Sequence, residues 1–134
     1  MSPLAAAVTD LINQQRAARG LGLLAPDGAL IAAAGQYSHV QWAYDPYSLN
    51  HNLDGNARDR ANRQGYYGWI GEVLVTATPS PQELVNLWMN SPAHANILLG
   101  TFADVGVACH EGPYTINGAT FQIATCVGMV GTRV

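Results

Sequence analysis

Apolar residues recur at helical spacing over roughly the first hundred positions and at strand spacing only near the end of the chain. Ser2 and Pro3 read as N-cap and first helical position, and Leu4, Val8, Leu11 and Ile12 share one face, so a helix is expected over 3–19, ended by Gly20. A second helix is expected from Asp27 to Trp42, carrying Leu30, Ala33, Ala34, Tyr37 and Gln41, before the Asp45-Pro46 break. Residues 44–53 are rich in turn formers, and a short helix over 57–63 follows. Ser80-Pro81-Gln82-Glu83 is a capping box that starts a helix reaching Asn90, with Leu84, Val85, Leu87 and Trp88 placed for burial. Ser91-Pro92 opens one more short helix through Leu98. Strands are expected over 105–110 and 120–130. Helices first and strands last indicate the α+β class, and 134 residues without a linker or repeat indicate a single domain over 1–134.

Asn117-Gly118, between the two strands, is the signature of a two-residue type I′ turn. Strands running back from it in register bring Cys109 opposite Cys126 on a non-hydrogen-bonded position, where a disulfide can close. The pair is therefore either a disulfide, which implies an oxidising compartment, or two reduced thiols in neighbouring strands.

Charged residues are only 11% of the chain against about 25% in an average soluble domain. The six Lys and Arg are scattered, which excludes a basic patch for nucleic acid. The longest apolar run, 29–34, is far below the roughly 18 residues of a membrane span, so no transmembrane segment is expected. The polar surface this leaves, rich in uncharged side chains, is more common among exported proteins. Residues 1–3 lead straight into a helix with no basic segment or cleavage site, so a secreted location implies a leader already removed.

Among candidate chemical groups, His51 stands in a loop, where a histidine needs a reason beyond packing. His94 sits in the first turn of the short helix after Ser91-Pro92, which fixes its direction. Glu72 is a lone carboxylate in the apolar run 69–75, and burial without a partner would cost several kcal/mol, so it must be solvated or partnered. His39 lies on the second helix with no specific reason to leave water. His110-Glu111-Gly112-Pro113 starts like a zinc-protease motif, but Pro113 forbids the helix such a motif requires.

Taken in order, the motifs resemble those of the CAP superfamily, the domain of cysteine-rich secretory proteins, venom allergens and plant pathogenesis-related proteins, in its short bacterial form. Asn13 to Arg16 with Gly20-Leu21 and Leu24 is similar to the family's opening. His51-Asn52-Leu53-Asp54-Gly55 is similar to its HxxDG loop and Gly71-Glu72 to its GEN segment, with Val73 in place of Asn. Residues 88–98 are similar to the bacterial WMxSPGHRxNIL segment, with Ala93 in place of Gly. The resemblance implies a three-layer α-β-α sandwich with a central antiparallel sheet. It also implies a cleft where His51 and His94 hold zinc or another divalent metal, lined by Glu72 and by Ser91, which replaces a second family carboxylate. Asn13, Arg16 and Trp88 are expected to be structural. The function implied is a binding module for a lipid, sterol, cell-wall component or protein. The alternative is a metal-dependent hydrolase of a peptide, wall or lipid substrate, with Glu72 as its catalytic group.

Overall fold

The computed structural model describes residues 1–134. The elements in chain order are α1 (Pro3–Ala17), β1 (Ala25–Pro26), α2 (Gly28–Tyr44), α3 (Ala57–Arg63), β2 (Gly68–Ala77), α4 (Pro81–Met89), α5 (Pro92–Leu98), β3 (Asp104–Ile116) and β4 (Ala119–Arg133). The helices start where the sequence supplies caps. Ser2, Asp27, Asn56 and Ser80 each accept a backbone N–H of the first turn, which satisfies donors the helix itself cannot.

The sheet order is β1-β3-β4-β2, with β3, β4 and β2 antiparallel and the two-residue β1 running parallel to β3. Successive side chains of a strand point to opposite faces, and both faces of this sheet are covered. Val73 and Val75 join Val105, Val107 and Trp88 in a core beneath α1, α4 and α5. Leu74 joins Val127, Met129, Tyr37 and Leu30 in a second core beneath α2 and α3. The architecture is therefore the expected three-layer sandwich.

Two expectations are corrected: Leu87 lies on the solvent side of α4, opposite the stripe of Leu84, Val85 and Trp88 that enters the core, and strands are not confined to the end, because β2 lies between α3 and α4. A strand buried on both faces shows a continuous apolar run instead of alternation, so its period is hidden. The hairpin also extends to its tip, through Pro113. Beyond Val105 one side of β3 has no neighbour strand, and proline is tolerated on such an edge.

The turn forms as its sequence dictates, with φ of 51° at Asn117 and 78° at Gly118. Cys109 pairs with Cys126 across the ladder, their Cα atoms 4.1 Å apart, and the two form a disulfide. Asn13 takes the Leu24 backbone at both ends, donating to its carbonyl and accepting its N–H. Arg16 is buried and donates to the carbonyls of Gly22, Leu98 and Gly100, which ties α1 to the end of α5.

Candidate functional site

The turn-rich segment after α2 is held by three buried side chains. Gln41 donates to the carbonyls of Asp45 and Ser48 and accepts from Asn50 N–H. The Tyr37 hydroxyl donates to the Asn50 carbonyl and accepts from Leu53 N–H, and burial raises its pKa. Arg60, from α3, donates through Nη1 to the carbonyls of His51 and Gly55 at 2.9 and 2.7 Å, and its guanidinium lies 3.5 Å from the Tyr37 ring centre. An irregular loop is given a fixed shape in this way, and His51 sits on it.

Glu72 projects from β2 on the same face as Leu74, toward α3. Both its oxygens accept from Arg60 Nη2 at 2.6 Å, and the two side chains are only 3% and 2% exposed. The same carboxylate meets His51 Nδ1 at 2.9 Å. A carboxylate oxygen held by a guanidinium only accepts, so a neutral His51 must carry its proton on Nδ1 and leave Nε2 as a bare lone pair. Sequence reasoning required a partner for Glu72, and the structure supplies two. Arg60 was missed as a site residue, because no local pattern marks which of four arginines between 58 and 133 turns inward.

His94 is the third residue of α5. Burial lowers its pKa first, and the nearby His51 lowers it further. Its Nδ1 is enclosed without a partner, which also favours the uncharged ring. Ser91 is the N-cap residue of α5, yet its hydroxyl caps nothing and bonds to neither histidine nor Glu72. The structure thus brings His51 and Glu72 into contact and sets His94 close enough to feel the His51 charge. It leaves Ser91 without a bond to them.

The titration of His94 carries a consequence for stability. In the unfolded chain a histidine takes up a proton near pH 6.5, while in the folded chain His94, and likewise His110, resists it. Below that pH the unfolded state binds more protons, so stability is full above about 6.5 and declines as pH falls through the window beneath it. The urea midpoint is expected to drop between pH 7 and pH 5, and to drop less in His94→Asn. A midpoint that holds or rises on acidification contradicts this.

For a divalent metal, the donor set excludes one arrangement and allows another. Glu72 is buried and bonded to Arg60 and His51, and no group of three or more His, Cys, Asp or Glu side chains is placed to hold an ion. The residues do not fit a three-ligand centre. What remains are two imidazoles, His51 and His94, with Glu72 bonded behind His51, where a carboxylate fixes the tautomer of the ring.

Among known proteins, the model of the cysteine-rich secretory protein family, CAP, matches residues 9–127. An outer surface protein from Borrelia burgdorferi aligns with a TM-score of 0.74 at 22% identity, over 95% of this chain and 90% of that one. An extracellular protein containing a SCP domain from Bacillus anthracis aligns with a TM-score of 0.80 at 19% identity over 99% of this chain. A cysteine-rich secretory protein from Staphylococcus aureus aligns with a TM-score of 0.68 at 14% identity over 96% of it. The chain spans 44% and 39% of the lengths of the latter two. At these identities the likeness speaks for the fold. No curated protein matches the sequence.

Proposed function

Because the chain belongs to the cysteine-rich secretory protein family, CAP, we propose that it works outside the cytoplasm as a binding module whose recognition centre is the His51–His94 pair. The observation that carries this reading is the Arg60–Glu72–His51 array, which directs one half-exposed imidazole with its Nε2 free. The Cys109–Cys126 disulfide supports an oxidising location. The outer-surface and extracellular descriptions of two structural relatives point the same way. No helix is long and apolar enough to cross a membrane.

A ligand such as a lipid, a wall component or a protein would meet the ring pair at the surface, since His51 is open to solvent on that side. Zinc or another divalent metal, when bound, would be held by His51 and His94 and would supply a Lewis-acid centre there. Glu72 fixes His51 and Arg60 fixes Glu72. Glu72 is only 2% exposed and sits behind Arg60 and His51, which keeps its carboxylate away from an attacking water, so binding is favoured over hydrolysis. Calorimetric titration with zinc tests the reading: the His51→Ala, His94→Ala double variant should lose one equivalent of bound zinc relative to the parent chain. An unchanged stoichiometry would refute it.

A further inference from the structure

Helix α2 lies along β3 in matched steps. Four residues of helix advance about 6 Å and two residues of strand about 6.6 Å, so side chains four apart on the one meet side chains two apart on the other. Gly106 lies beneath Leu30 and Ile31, where a Cβ would run into the helix backbone, and Ala108 lies beneath Gly35. One step further the register brings His110 beneath His39, and the last brings Gly112 beneath Trp42. The first two steps are small because helix and sheet touch there. The third carries two imidazoles that neither core requires.

We propose that His39 and His110 form a second divalent-metal site, separate from the His51–His94 pair, which takes Cu²⁺, Ni²⁺ or Zn²⁺ through the two Nδ1 atoms. These atoms face each other at 3.1 Å. Two imidazole nitrogens about 2.0–2.1 Å from one metal at a tetrahedral angle stand about 3.3 Å apart, so the rings are already spaced as ligands. His39 is exposed and can make the small remaining adjustment. The Trp42 ring, 4.4 Å from that of His110, keeps the partly buried imidazole in place.

In the empty state one Nδ1 donates a proton to the other. On binding, that ring shifts its proton to Nε2, so two neutral imidazoles take up the ion without net proton release. No third His, Cys, Asp or Glu completes the set, so water fills the other positions. Among divalent ions Cu²⁺ should then bind most tightly.

The site rests on geometry independent of the His51–His94 reading, and the test separates the two. Paramagnetic Cu²⁺ at His39 and His110 sits beside Trp42 and should quench its fluorescence along a saturable isotherm. His39→Ala, an exposed change that leaves the fold intact by circular dichroism, should weaken this binding at least tenfold, whereas His51→Ala should leave it unchanged. Trp42→Phe should remove most of the quenching while calorimetry still shows Cu²⁺ bound. An isotherm unaltered by His39→Ala, or one abolished by His51→Ala, would overturn the assignment.

Discussion

Arg60→Ala is expected to lower the unfolding free energy by about 3–5 kcal/mol, which is the usual cost of removing one partner from a buried ion pair. The guanidinium and Glu72 carboxylate are 3% and 2% exposed, so water does not replace the lost partner. The same change removes the donors to the His51 and Gly55 carbonyls and frees the loop. A domain of this size is stable by only about 5–15 kcal/mol, so the variant sits near the limit of folding. Adding Glu72→Gln to Arg60→Ala removes the stranded charge and should recover part of the loss. A single-variant loss under about 1 kcal/mol in urea titration, or no recovery in the double variant, would show that the pair is not the buried unit described.

Trp88→Ala is the other large effect, also expected to cost about 3–5 kcal/mol and to lower Tm by about 10 °C or more. Trp88 is 1% exposed and lies among Val73, Leu84 and Val85, with its ring over Gly128. Alanine would leave a cavity the surrounding strands cannot close. It would also leave the Leu74 carbonyl without the indole N–H that now reaches it at 3.0 Å. Trp88→Phe should retain most of the packing and lose mainly that bond. A Tm change of a degree or two in Trp88→Ala would mean the ring is not in the core.

The parts of this fold legible in the sequence are those written in local chemistry. Ser2-Pro3, Asp27 and Ser80-Pro81 start helices within a residue of their expected positions. Asn117-Gly118 sets a register that carries eight positions outward to the disulfide, because a two-residue turn leaves the ladder no slack. What stayed hidden was non-local. The run of residues that forms β2 has no period, since both of its faces are buried. The need of Glu72 for a partner could be stated from desolvation alone, but Arg60 becomes that partner only when α3 folds over β2. His39 and His110 gave no sequence signal, being 71 residues apart until α2 settles along β3.

The central claim is that Arg60 and Glu72 fix His51 with its proton on Nδ1 and its Nε2 free. A long-range proton–nitrogen NMR spectrum of the histidine rings at pH 7.5 reads this directly. The account predicts that the uncharged His51 ring carries its proton on Nδ1 and none on Nε2, a pattern that Arg60→Ala with Glu72→Gln randomises toward the free-imidazole mixture. A His51 ring protonated on Nε2 and bare at Nδ1 would contradict it, since a carboxylate held by Arg60 cannot donate the missing proton.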